Sequence, residues 1–232
     1  MATTDERGRP AGAVQGERPV RIWDVPTRVF HWLLATLVAG AYLTQETGQL
    51  DRHMTIGYVV LTLVLFRIIW GLIGSDTSRF VNFVPTPGGI ARYLRGLVRG
   101  RPPKTAGHNP LGALLVYAML GLVAFQAGTG LFANDAVFTE GPLAKLVDDE
   151  TSNRLTDLHE TSFWILLGLI GVHITANFTY EIVFRQPLIQ AMVFGKKPLP
   201  ADQPAPRLRP VWWAVPALAV AAGIVWYVVT RL

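Results

Sequence analysis

Five apolar stretches of this sequence are long enough to cross a bilayer, and that leaves the backbone few options. They cover residues 29–44, 54–74, 111–133, 158–180 and 211–230, the first being the shortest. At 1.5 Å per helical residue, about 20 residues span a hydrocarbon core of roughly 30 Å. In lipid every backbone N–H and C=O must find a partner inside the protein, which only helices and closed barrels achieve. The stretches lack the alternation of barrel strands, about ten residues per strand, so they predict helices. Composition agrees: 50% of the chain is hydrophobic and 16% charged, against roughly 25% charged in a soluble domain.

The connecting segments differ in charge. Residues 75–110 carry six basic side chains (Arg79, Arg92, Arg95, Arg99, Arg101, Lys104) against one acid, and 185–210 carry five against one. Residues 134–158 reverse this, with six acids against Lys145 and Arg154. The positive-inside rule then places the two basic segments and the amino terminus in the cytoplasm. With five spans the carboxyl terminus lies on the outer side. The net charge of +5 is absorbed by loops facing an anionic leaflet, so nucleic-acid binding is not needed to explain it. Residues 1–20 lack the apolar run of a secretory signal and read as a retained, loosely ordered cytoplasmic tail. A four-helix domain over 21–197 follows. A linker with five prolines over 198–210 then leads to a fifth transmembrane helix over 211–232, which looks appended.

Histidines carry the chemistry. There is no cysteine, which excludes disulfides, thiolate metal sites, iron–sulfur ligation and covalent c-type haem. His159 and His173 are 14 residues apart on the fourth span, hence about 40° apart around the helix and roughly 21 Å along it. His31 opens the first span from the inner side and His53 opens the second from the outer side. Matching depth pairs His31 with His173 and His53 with His159. Two histidines facing one another across a bundle supply both axial ligands of a haem iron, and two such pairs stack two haems b along the membrane normal. The competing reading makes them interfacial histidines that cap helices or meet headgroups. Zinc is disfavoured, because the pairs are too distant to share an ion and no second histidine follows His159-Glu160 at metalloprotease spacing.

Two further residues are candidates for cofactor binding. Arg67 lies in the second span near the depth of His31 and His173, where it would meet a haem propionate, or else snorkel to headgroups or bond carbonyls. His108 precedes Asn109-Pro110, which reads as a helix N-cap and first turn, and would contact a propionate or a quinone headgroup. With Glu181, these residues are candidates for an inner-side quinone site.

The sequence resembles the bacterial cytochrome b561 family and the related b-type cytochrome subunits of nickel–iron hydrogenases and formate dehydrogenases. The likeness covers about residues 20–198. It rests on the run from Trp23 to Trp32, on His53 with Gly57-Tyr58, on Arg67-Ile68-Ile69-Trp70-Gly71, on Gly107-His108-Asn109-Pro110, and on His159-Glu160 with Gly171-Val172-His173. The resemblance implies a four-helix, di-haem, quinone-linked electron carrier with iron ligands at His31, His53, His159 and His173. The fifth span and the long basic second loop depart from the smallest members. The expected fold is all-α and integral to the membrane: a four-helix transmembrane di-haem bundle plus a fifth C-terminal helix.

The expected function is electron transfer between the quinone pool and a periplasmic partner, a cytochrome c or a dehydrogenase subunit, with possible quinol oxidoreductase activity. An alternative within the family is superoxide:ubiquinone oxidoreduction, which the acidic outer loop opposes by repelling the anion. That loop would dock a basic protein partner, or be merely solvated. Outside the family the rivals are a transporter, which predicts paired broken helices that the spans lack, and a haemless membrane anchor.

Overall fold

The computed structural model describes residues 16–100, 102–135 and 137–232. Arg101 and most of the amino-terminal tail lie outside the described residues. The elements run β1 (Glu17–Arg21), α1 (Val25–Glu46), α2 (Leu50–Ile73), α3 (Pro87–Val98), α4 (Pro110–Gly130), α5 (Asp149–Ile182), α6 (Leu188–Phe194), β2 (Lys196–Pro200) and α7 (Ala214–Arg231), with three short 3-10 turns among the described residues.

Four helical segments are long and apolar enough to span a membrane among the described residues: Leu50–Ile73, Pro110–Gly130, Asp149–Ile182 and Val211–Arg231. Helix α1, expected as a span, is 22 residues long but less apolar than these, because Thr27, Arg28, His31, Thr36, Thr44, Gln45 and Glu46 interrupt its face. Helix α4 carries no charged residue at all. Helix α5 has 34 residues and begins at Asp149, well before the apolar run, so its first turns extend past the hydrocarbon. The Asp148 carboxylate launches it by accepting from the Thr151 amide at 2.7 Å.

Helix α1 packs antiparallel on α2 after the tight turn at Thr47–Gln49, α2 packs on α4 and α7, and α4 on α5. One core joins Phe30, Leu63, Phe66 and Trp70 to Ala217 and Ala221 of α7. Small residues one turn apart let the α7 backbone approach α2 closely, which is how helices associate without a hydrophobic driving force in lipid. A second core joins Val60, Val64, Val123 and Leu166 of α2, α4 and α5. Many large apolar side chains, among them Leu72, Trp164, Phe178 and Trp226, point outward and exposed, as a lipid-facing surface requires.

Strands β1 and β2 pair antiparallel, with Val20, Ile22, Trp23, Ala191 and Leu199 beneath them. Residues 17–20 of the expected tail, Arg21 of the expected four-helix domain and residues 198–200 of the expected linker therefore belong to a small sheet. Proline is tolerated in such a two-stranded ribbon, where both strands are edges. Gly195 turns α6 into β2 at φ +79°, and its carbonyl accepts from the Ile22 and Trp23 amides at 2.8 and 3.2 Å. Buried Lys197 donates to the Thr105 carbonyl at 3.3 Å, and burial with Lys104 nearby lowers its ammonium pKa to about 8.

The two basic segments meet at one end of the bundle. The Asp76 amide donates to the Arg207 carbonyl at 3.0 Å, and the Arg209 amide to Ser75 Oγ at 2.9 Å. Segment 131–148 lies at the opposite, acidic end, where Asp135 Oδ1 accepts the amides of Val137, Phe138 and Thr139 at 2.8–2.9 Å.

Candidate functional site

Each end of α5 presents a histidine to a histidine on another helix. His31 of α1 and His173 have ring centroids 6.1 Å apart at an interplanar angle of 48°. His53 of α2 and His159 stand 6.0 Å apart at 80°. A metal ion about 2.0 Å from one nitrogen of each of two facing imidazoles leaves the ring centroids roughly 6 Å apart. Among the described residues no three His, Cys, Asp or Glu side chains converge on one point, so each pair offers an ion two protein ligands. A small cleft of about 50 Å³ lies beside the second pair, lined by His53, Gly57, Tyr58, Ala127, Gly130 and His159, and a Cβ added at Gly57 would meet nothing within 4 Å.

The acidic-end pair is held by backbone carbonyls. His53 Nδ1 lies 2.9 Å from the Ala41 oxygen and His159 Nδ1 2.9 Å from the Gln126 oxygen. A carbonyl only accepts, so Nδ1 carries the proton in both rings and Nε2 keeps its lone pair. Gly130 lets the His159 ring sit against α4, since a Cβ there would fall 2.9 Å from His159 Cε1.

The basic-end pair is held otherwise. Buried His31 Nδ1 has no hydrogen-bond partner, and the ring packs edge-on against Trp32 at 4.9 Å. The Asn177 amide nitrogen lies 3.4 and 3.5 Å from the two His173 ring nitrogens while donating to the His173 carbonyl at 2.7 Å. What positions His31 is the start of α1. Asp24 is 4% exposed and N-caps the helix, with Oδ1 accepting from the Thr27 amide at 2.7 Å. Its Oδ2 accepts from Trp70 Nε1 at 3.1 Å and Ser78 Oγ at 2.9 Å, tying α1 to the end of α2.

Arg67 is 3% exposed, donates to the Ser78 carbonyl at 3.0 Å and lies 4.7 Å over the Phe80 ring. Gly71 makes room for that ring, since a Cβ there would fall 2.1 Å from it. His108 is sandwiched between Trp23 at 4.8 Å and Phe83 at 4.3 Å, and its buried Nδ1 has no hydrogen-bond partner. Burial, then the positive fields of Arg67 and His173, lowers its pKa to about 3, so the imidazole is neutral. Asn109 caps α4 through a 2.8 Å bond from the Gly112 amide. Glu181 instead accepts from the Ile189 amide at 3.1 Å, which spends it on α6.

The structure thus gathers His31, His173, Arg67 and His108 at the basic end and His53 with His159 at the acidic end. Sequence reasoning missed Asn177, Gln126, and the roles of Asp24 and Ser78. For Asp24 a signal existed, an acid before Val-Pro-Thr at a helix start.

The sequence model of the prokaryotic cytochrome b561 family matches residues 22–195. The chain belongs to the prokaryotic cytochrome b561 family. This cytochrome is therefore a multi-pass membrane protein of electron transport, with haem b as the group it carries. It is similar to the probable Ni/Fe-hydrogenase B-type cytochrome subunit of Azotobacter vinelandii, 26% identical over 86% of this chain and 97% of the relative. The subunits so named from Rhizobium leguminosarum bv. viciae and Rhodobacter capsulatus are each 24% identical. They cover 77% and 87% of this chain and 88% and 90% of their own lengths.

Proposed function

We propose that this cytochrome holds two haems b, on His31 with His173 and on His53 with His159. It would relay electrons between the quinone pool and a hydrogenase-type catalytic subunit on the opposite face of the membrane. The observation that carries this reading is the facing of two imidazole pairs, 6.1 and 6.0 Å apart, at the two ends of α5. Haem b supplies one-electron chemistry at its iron, and histidine on both axial positions suits electron transfer rather than oxygen binding.

The protein's own groups set how that chemistry runs. His53 and His159 give Nδ1–H to carbonyls, which aims the other nitrogen into the gap and raises its basicity. Arg67 holds a fixed positive charge beside the basic-end pair, where a propionate would meet it. Neutral His108 has an unpartnered Nδ1 that would accept a hydrogen bond from a quinol hydroxyl at the same end.

The gathering of basic segments at the His31 end supports placing that end in the cytoplasm, with the amino terminus inside and the carboxyl terminus periplasmic. The acids of the opposite end would then face the periplasm and a basic partner surface. The names of the relatives favour a hydrogenase-type partner over a cytochrome c. A reduced-minus-oxidised spectrum of the purified protein, with haem assayed against protein, tests the reading. Two haems b per chain are expected, and one or none would refute it.

A further inference from the structure

Helix α3 carries no histidine, and its two faces are sharply different. Its 12 residues reach about 18 Å, too short to span a bilayer. It starts on Thr86, whose Oγ1 accepts from the Gly89 amide at 3.1 Å, and stops before Gly100 at φ +68°. At 100° per residue, Ile90, Tyr93, Leu94, Leu97 and Val98 fall within an arc of about 140°, while Arg92, Arg95 and Arg99 fall within about 60° on the opposite side. Only Tyr93 is buried, and its hydroxyl donates to Tyr180 Oη at 2.8 Å. That bond anchors α3 beside the end of α5 at the basic end of the bundle. Leu94 at 40% and Val98 at 87% exposure leave one edge of the apolar face uncovered.

The charge on the other face is also uncompensated. Among the described residues the ion pairs are Arg79–Asp76, Lys104–Glu17 and Arg154–Glu150, so neither Arg92 and Arg95 of α3 nor Arg99 at its C-cap meets a carboxylate. From Phe80 to Pro110 the sequence contains no acid. A short helix at a span's end, with an uncovered apolar edge and a separate arginine face, matches the amphipathic helices that lie in the headgroup layer.

We propose that α3 is an interfacial helix that binds anionic phospholipid, with Leu94 and Val98 among the acyl chains and Arg92, Arg95 and Arg99 on the phosphates. The charge fits an anionic headgroup, and the neighbouring apolar edge fits a lipid rather than a free anion. The proposal rests on the chain being a membrane protein and not on the haem assignment.

Native mass spectrometry of the full detergent-solubilised protein, after adding phosphatidylglycerol or phosphatidylcholine, tests it. The unmodified protein should retain phosphatidylglycerol preferentially. In R92Q/R95Q/R99Q that preference should fall by about tenfold or more, since each basic residue contributes separately at an anionic surface. Haem content should be unchanged, which shows that the variant is folded, and R92K/R95K/R99K should keep most of the preference. L94Q/V98Q should also weaken retention. Equal retention of both lipids, an undiminished preference in the glutamine variant, full competition by inorganic phosphate, or displacement of the lipid by an acidic soluble protein would each overturn the proposal.

Discussion

The two histidine pairs are alike in spacing and unlike in support. At the acidic end both rings are hydrogen-bonded through Nδ1 to carbonyls of neighbouring helices, so their tautomer and aim are set by backbone that mutation cannot delete. At the basic end His31 Nδ1 has no partner, and the ring is held by packing and by the buried Asp24 cluster that starts α1. The lesson is that one pair is oriented locally and the other through the architecture around it. Changes to side chains should therefore disturb the basic end selectively, unless they crowd a ring at the acidic end directly.

Asp24→Ala is the harshest way to break the comparison. It removes the cap of α1 and strands Trp70 Nε1 in a buried site, leaving Ser78 Oγ with Thr27 Oγ1 alone, at a cost of about 3 kcal/mol. Thermal melting should fall by a corresponding margin, and haem loss should be confined to the basic end. Equal loss from both ends would mean that the pairs are not independently supported. Gly130→Ala is the reciprocal test, because its Cβ would press on His159 Cε1 and cost about 2 kcal/mol of overpacking. Weakened haem retention at the acidic end alone is expected.

A pH series sharpens the contrast further. His108 has a pKa of about 3 when folded against 6.5 when exposed, so between those values the unfolded chain binds the extra proton. Stability should be full above pH 6.5 and decline as pH falls toward 3. Going from about pH 7.5 to about 5.5 should cost about 1.4 kcal/mol. In His108→Phe melting curves this contribution should vanish, and an unchanged pH slope would contradict the assignment. The smallest effect belongs to Asn177→Leu. It should leave stability near that of the unmodified protein and raise only the basic-end haem potential, since a dipole beside His173 is replaced by an apolar group that disfavours the ferric charge.

Four of the five expected spans, and which histidine rings face one another, were legible because both rest on simple periodicity. Absence of charge marks α4, and a 14-residue spacing on one helix brings His159 and His173 near one face. Helix α1 was harder, since its polar residues dilute the apolar run that contains His31. Strands β1 and β2 were missed because their pairing joins residues nearly 180 positions apart, and each is short and proline-bearing. Helix α3 hid inside a segment read only for its charge. The Nδ1 partners of His53 and His159 could not be read at all, because a carbonyl acceptor is the same at every residue. Asp24 was visible as a residue, but its second oxygen serves Trp70 and Ser78, contacts that only the packed helices create.

Potentiometric titration of the haem b absorbance in the unmodified protein, His31→Ala and His53→Ala tests the two-site account most directly. Two one-electron steps are expected in the unmodified protein, with one step left in each variant and a different step surviving in each. A single step in the unmodified protein, or the same surviving step in both variants, would contradict it.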